Sequence, residues 1–301
     1  MSEEMIERHQ GDEMIRLTLM DGQVRVMMCE TTQMAQRAAD IHGATPVCTA
    51  AMGRLMTATS MLGVMMKGDN ESVTVNIHGD GPMGTIVAVA NHGDVKVCAD
   101  DARVELPLRA DGKLDVGGAI GHTGRMTVIK DLGLKEPYVG QIPLVSGNIA
   151  EDITAYYTVS EQIPTVCALG IVFNEDATIK AAGGYMLQLV PPVLDSSVKV
   201  IEDNLQHMES ITGMLEKGLK PEELAVSALE GLGGEILDQW EAVYYCDCSR
   251  ERTEQILISL GKKELQKLVD EGEETEVCCH FCNKKYKFST AEISNLLKEQ
   301  K

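Results

Sequence analysis

Basic residues are in short supply in this sequence: 27 lysines and arginines face 46 acidic residues, for a formal net charge of −19. A field of that sign repels phosphate, so nucleic acid and anionic membrane are disfavoured as partners. The one basic cluster, Lys284-Lys285-Tyr286-Lys287, is too small to reverse the balance. Long apolar runs are missing too. No stretch approaches the roughly 18 residues that a membrane-spanning helix needs. The first residues, MSEEMIERHQGDEM, are acidic and polar, without the apolar core of a signal peptide. Catalytic signatures are also absent: there is no G-x-S-x-G, no H-E-x-x-H and no P-loop, so no enzymatic activity is expected. Gly79-Asp80-Gly81-Pro82-Met83-Gly84 matches G-x-G-x-x-G by letter. A strand pattern follows it where a nucleotide-binding helix should begin, and Pro82 removes a needed donor. It reads as a hairpin turn.

What is present is an ordinary globular composition, 44% hydrophobic and 24% charged over 301 residues, enough for two domains. Ile15, Leu17 and Leu19 alternate with polar residues, and Val24, Val26 and Met28 resume the alternation beyond Asp21-Gly22, predicting a hairpin with a two-residue turn. From Thr31 to Lys67 the period becomes helical, in two pieces broken around Gly43-Ala44-Thr45-Pro46. The second piece, carrying Met52, Leu55, Met56, Leu62, Met65 and Met66, reads as a buried central helix. Ten of the 17 methionines lie between Met14 and Met66. They could form an adaptable surface for apolar partners, but their helical spacing favours core.

Strand patterns follow at 72–78, 85–90, 95–99, 125–130 and 139–145. A helix is expected from about Asn148, capped with help from Glu151 three residues on and ended by Pro164. Two further strands, 165–173 and 178–190, flank a turn. Long strands around few helices, without a βαβ repeat, predict an α+β domain over residues 1–192. Residues 193–245 then read as an acidic helical linker. From Asp195 to Tyr245 eleven acidic residues stand against three lysines. One apolar stripe there is Leu194, Val198, Ile201 and Leu205, and another is Leu224, Ala228, Leu229 and Leu232. Such short, like-charged helices take their stability from what they pack against.

Residues 246–301 form a third segment, of nearly balanced charge: two short helices (249–260 and 262–270), a thiol-bearing hairpin and a last helix from about Ser289. Cys246-Asp247-Cys248 opens it and Cys279-His280-Phe281-Cys282 sits in the hairpin. Two tight thiol pairs separated by a helical insert have the spacing of a tetrahedral Zn²⁺ site, with Cys246, Cys248, Cys279 and Cys282 as ligands. Cys278 is a competing neighbour, and Cys279 is preferred because it gives the commoner two-residue gap. A module this small draws only ~3–5 kcal/mol from its own core. Structural zinc contributes ~10–16 kcal/mol, so this end of the chain is expected to fold only with metal. Nine cysteines point to a reducing compartment, the cytosol by default. Zinc thiolates are open to oxidants, and oxidation would turn four ligands into two disulfides. Of three possible pairings, Cys246–Cys248 with Cys279–Cys282 needs least loop closure. A static zinc staple on a cytosolic enzyme, or a nucleic-acid-binding zinc module, remains the rival reading. Cys29, Cys48, Cys98 and Cys167, isolated on apolar stretches, read as small core residues, and His280 as surface.

The order Cys246-Asp247-Cys248-Ser249-Arg250-Glu251-Arg252, Leu260-Gly261-Lys262-Lys263-Glu264-Leu265 and Cys279-His280-Phe281-Cys282-Asn283-Lys284-Lys285-Tyr286 resembles the heat-shock protein 33 family of redox-regulated chaperones. Upstream, Ala51-Met52-Gly53-Arg54, Gly79-Asp80-Gly81-Pro82, Glu136-Pro137-Tyr138, Ser160-Glu161-Gln162-Ile163-Pro164 and Ala181-Ala182-Gly183-Gly184 extend the likeness over essentially the whole chain. Cys278 departs from the pattern. The resemblance implies an ATP-independent holdase, folded and quiet when reduced and zinc-bound. Oxidation would form both local disulfides, release zinc, loosen the C-terminal module and linker, and promote dimerisation. Clients would be unfolding proteins, passed later to foldase chaperones.

Overall fold

The computed structural model describes residues 11–68, 70–228 and 233–299. The chain divides into two compact units, residues up to Tyr245 and Cys246–Lys301. In the first, strands β1 (Asp12–Leu19) and β2 (Val24–Glu30) form the expected hairpin. Their link is longer than the anticipated two residues, because Met20 and Asp21 adopt left-handed φ values of 51° and 55° and make a 3-10 turn with Gly22. Helix α1 (Thr32–His42) follows, and α2 (Pro46–Gly63) begins with proline at its first turn, where a missing N–H costs nothing. Between Val47 and Gly63 every residue of α2 except Arg54 is buried. A helix apolar on all sides belongs inside a core, and α2 packs against β-strands on opposite sides. Met52, Met56 and Met61 are filler there, not a binding surface.

Strands β3 (Ser72–Gly79), β4 (Thr85–Asn91) and β5 (Asp94–Ala99) run as read from the sequence. The Gly79–Gly84 segment is the β3–β4 turn. Its glycines serve close backbone approach: a Cβ on Gly81 would stand 2.4 Å from the Ala119 oxygen. Their partner is a short helix, α3 (Val116–Ile120), that the sequence pattern does not announce. Strands β6 (Gly124–Asp131) and β7 (Tyr138–Pro143) complete an antiparallel sheet of order β5-β4-β3-β6-β7. Helix α4 (Ala150–Tyr156) ends in a π-helical turn, Tyr157–Glu161. The Asn148–Glu151 cap does not form: only the Asn148 carbonyl accepts, from the Glu151 amide. Buried Asp152 instead accepts from the amides of Val145 and Ser146, tying the preceding loop to the helix. Strands β8 (Thr165–Phe173) and β9 (Ile179–Leu189) then join the first hairpin.

Helices α5 (Asp195–His207), α6 (Ile211–Glu216) and α7 (Pro221–Ala228) follow, as expected. Residues 234–242 correct the helical expectation. They form strand β10 (Gly234–Ala242), paired antiparallel with β1 in a sheet of order β10-β1-β2-β9-β8. Ile236 and Trp240 suit a strand, and the backbone groups along the outer side of β1 supply the partner that local propensity does not see. One face of this sheet, with Met14, Met27, Cys29 and Met186, looks into the α2 core. The other carries Ile15, Leu17, Leu19, Val24, Val26 and Met28. Those residues form a second core with Ile201, Ile211, Met214, Leu215 and Leu224 of the three acidic helices. Of the two proposed stripes, Ile201 and Leu224 are buried, whereas Leu194 is exposed. Leu229 and Leu232 lie outside the described residues, as does the Ala228 side chain.

The second unit contains α8 (Arg250–Ser259), α9 (Lys262–Glu271), the hairpin β11 (Thr275–Cys278) and β12 (Lys285–Phe288), and α10 (Thr290–Glu299). Its core is six side chains: Leu257, Leu265, Tyr286, Phe288, Ile293 and Leu296.

Candidate metal centre

Two loops bring four sulfurs together at one end of the small unit. The first is the extended segment before α8, whose start is fixed by Ser249: its hydroxyl accepts from the Arg252 amide at 3.2 Å. Arg250 anchors the same turn, lying 4.3 Å from the Phe288 ring and donating to Glu292 and to the Lys287 carbonyl. The second loop is the tip of the β11–β12 hairpin. There the Cys279 amide donates to the Lys284 carbonyl and the Asn283 amide to the Cys279 carbonyl, with Asn283 at a φ of 58°.

The sulfurs of Cys246, Cys248, Cys279 and Cys282 all lie within 4.8 Å of one another. The closest approaches run between the loops, 3.7 Å for Cys246–Cys279 and 3.3 Å for Cys248–Cys282. Four sulfurs ~2.3 Å from a common centre would be spaced about 3.8 Å apart, so the set is near the size of a zinc tetrahedron. No disulfide is present: all nine cysteines are thiols. Cys278 is exposed and outside the group, its sulfur pointing towards the Cys279 carbonyl at 3.9 Å. His280 is exposed.

Without a cation these thiols compete for ionisation. Burial pushes the Cys282 thiol up to about 12, against the pull of the Lys284 amide, and neighbouring thiols add to the rise. Burial raises Cys246 as well, opposed by the Cys248 amide. Cys279 moves the other way. Burial opposes its ionisation, but donors from the Phe281 and Cys282 amides and from the Cys282 and Cys246 thiols outweigh it. Cys279 is thus the thiol most readily ionised, beside two, Cys246 and Cys282, that burial holds protonated. A divalent cation would replace those protons and favour four thiolates. The donor set, all soft sulfur with amides aimed at it, fits zinc.

Tyr286 is the residue whose role the sequence does not disclose. Its hydroxyl donates to the Cys248 carbonyl at 3.0 Å and lies 3.1 Å from the Cys248 sulfur. The period-two spacing of Tyr286 and Phe288 marks both as buried, but not which of them reaches a ligand. Such outer contacts orient a ligand and tune it. The remaining cysteines lie elsewhere. Cys29 and Cys48 are buried, while Cys98 and Cys167 are only half-buried. Burial pushes the Cys167 thiol up to about 12 and raises Cys29 further still, which leaves both unreactive.

Comparison with known proteins adds an independent line. Residues 12–289 match the sequence model of the family described as Hsp33 protein. A "33 kDa chaperonin" of Alkaliphilus oremlandii is 46% identical over 286 residues, covering 95% of this chain and 96% of its own. The protein of that name from Clostridioides difficile is 45% identical over 289 residues, covering 96% and 99%. Among solved structures, the 33 kDa chaperonin (heat shock protein 33 homolog) of Thermotoga maritima superposes with a TM-score of 0.87 at 34% identity, over 97% of this chain and 99% of the other.

Proposed function

The chain belongs to the Hsp33 family, and from that membership we propose that it is an ATP-independent holdase chaperone switched by oxidation of Cys246, Cys248, Cys279 and Cys282. The observation that carries this reading is the gathering of those four thiols, from two loops, within 4.8 Å. Zinc, when bound there, supplies the positive charge that keeps four sulfurs ionised and joins the loops. Cys246 and Cys248 would hold it from the chain entering the module and Cys279 and Cys282 from the hairpin, with Tyr286 orienting Cys248.

Each pair of thiolates gives two electrons to one peroxide, which takes up two protons from solvent, yielding a disulfide and two waters. The first sulfur oxidised becomes a sulfenic acid, and its neighbour displaces water from it. Once both pairs have reacted no thiolate remains to hold a cation. We propose the local pairing, Cys246–Cys248 and Cys279–Cys282, on loop-closure grounds. The 3.3 and 3.7 Å approaches between the loops favour the crossed pairing as the second reading, and peptide mapping of the oxidised chain separates the two.

In this scheme residues 1–192 are the body, 193–245 the conditional linker and 246–301 the switch. The linker helices cover Ile15, Leu17, Val24, Val26 and Met28 through a handful of apolar contacts. Oxidation removes the metal's larger stabilising contribution from the module to which the linker is joined. The linker then loosens and exposes both apolar surfaces to unfolding proteins. Dimerisation when oxidised, hand-over to foldases, a cytoplasmic location and the absence of catalysis complete the proposal.

The test is to follow zinc release and thiol loss under peroxide while measuring aggregation of a thermally unfolding client. Oxidised protein should suppress aggregation and reduced, zinc-loaded protein should not. Equal aggregation in both samples, with zinc fully released, would sink the proposal.

A further inference from the structure

We propose that the first unit carries a binding site for a small multivalent oxyanion of the diphosphate class, between Arg16 and Arg25 on the β10-β1-β2 sheet. A cavity of about 280 Å³ opens there, lined by Arg16, Thr18, Gly22, Arg25, Val190 and Leu237. In the β1–β2 register Thr18 stands opposite Arg25, so Arg16 sits diagonally from Arg25 on the same face. Long side chains at such diagonal positions are within reach of each other. Two guanidinium groups facing one cavity need an anion to offset their repulsion.

The protein supplies that anion only once. Asp238 on β10 pairs with an outer nitrogen of Arg16, and the same guanidinium lies 5.5 Å from the centre of the Trp240 ring. These two contacts fix the orientation of Arg16 without satisfying it: its Nε is buried and has no hydrogen-bond partner among the described residues. A buried, unpaired donor is costly, more so on a charged group, and marks a site that accepts a ligand or a water. Arg25 is exposed and forms no ion pair among the described residues. Glu235, opposite Thr18 on the other side, is exposed and pairs with neither arginine. Hence the donor fork of Arg25 is open to a ligand, and Arg16 presents its charge to the same cavity.

The geometry selects the ligand class. Arginine forks match planar or tetrahedral oxyanions. The cavity is several times larger than a single phosphate, whose fit would leave one arginine unused. Val190 and Leu237 offer apolar walls and no acceptor, so a compact anion with oxygens at both ends suits the floor better than a hydroxyl-rich molecule. The net charge of −19 does not forbid this, because screening over ~8 Å leaves direct contacts to decide. Asp238 and Leu237 belong to β10, so an occupied site would also tie β10 more firmly to β1 and β2.

The sole tryptophan of the chain lies against Arg16 and reports on the site. Reduced, zinc-loaded full-length protein is titrated with pyrophosphate by calorimetry and by tryptophan fluorescence, with orthophosphate and sodium chloride of matched ionic strength in parallel. Saturable binding of pyrophosphate is expected in both readouts, with orthophosphate at least tenfold weaker and chloride silent. Arg25→Met, on an exposed side chain, should keep the circular dichroism of the parent and bind at least tenfold more weakly. Glu235→Gln should bind as tightly as the parent or tighter. The proposal is overturned by an absence of saturable binding, by orthophosphate or chloride giving the same response as pyrophosphate, or by Arg25→Met binding like the parent.

Discussion

At the scale of single residues the ligand set is a choice among five thiols, and geometry separates them. Cys279 sits in the sulfur cluster, with amides of Phe281 and Cys282 directed at it, whereas Cys278 points out of the hairpin. Cys246→Ser should therefore lose stoichiometric zinc, while Cys278→Ser should retain one zinc per chain by atomic absorption. Equal losses in the two variants would contradict the assignment. A second residue carries a pH signature. Asp12 is buried, and its carboxylate accepts from the Gln33 and Met34 amides at 3.0 and 2.8 Å, capping α1 from 21 residues away in sequence. Burial raises its pKa to about 7 against those two bonds, with Glu30 adding to the rise. A carboxyl whose folded pKa lies above its unfolded value near 3.8 binds its proton more tightly when folded. Its contribution is fully present below the unfolded value and is lost as pH climbs through about 7. At roughly 1.4 kcal/mol per unit, the loss is on the order of 2–4 kcal/mol. The urea midpoint read by tryptophan fluorescence should fall between pH 5 and pH 8, and the fall should shrink in Asp12→Asn. A parallel pH dependence in both proteins would remove Asp12 as its cause.

At the scale of elements, what could be read from the chain depended on whether a segment's stability is local. The period-two runs of β3 to β5 and the all-round apolar α2 announce themselves because each pattern is set by its own residues. The module helices are equally plain: Ser249 caps α8, and Gly261 and Gly272 bracket α9. β10 is not, because its reason for being extended is the outer side of β1, more than 200 residues earlier. α3 is hidden for a similar cause, as its backbone is held by the Gly79–Gly84 turn through the Gly81 and Met83 amides. The gathering of the two thiol pairs was legible from spacing, but the donor role of Tyr286 was not. The acidic helices lie between these extremes: their stripes are visible, yet the partner is the sheet face of Ile15 and Leu17. Met214 is fully buried in that contact. Placing a charge there, Met214→Asp, should cost several kcal/mol of local stability and lift α6 from the sheet. If the covered face is a client surface, this variant should suppress client aggregation without oxidant. A variant that opens the helices, seen by faster amide exchange over 211–216, and yet stays inactive would separate the linker from the switch.

For the whole molecule the proposed zinc site predicts that one unit depends on metal and the other does not. The first unit has two cores, one wrapped around a helix buried along nearly its whole length, and holds no cluster of metal-ligating side chains among the described residues. The second has 56 residues and six buried core side chains, with its opening segment and its hairpin tip meeting at the sulfurs. A core of that size supplies only ~3–5 kcal/mol, against ~10–16 kcal/mol from a structural zinc. Removing metal with a chelator while keeping the thiols reduced should therefore unfold 246–301 and leave the α2 core of the first unit folded. Because four thiols must deprotonate to bind, chelation should succeed at lower chelator concentration as pH falls from 8 to 6. Limited proteolysis reads the result directly: cleavage should appear first within 246–301, then within 193–245, and last in the body. That order also distinguishes loss of metal from oxidation as the trigger. If chelated, reduced protein is cleaved in the module but does not hold clients, the disulfides do more than release zinc. If it holds clients as well as the oxidised form does, the metal alone keeps the molecule quiet, and the sulfurs act only by letting it go.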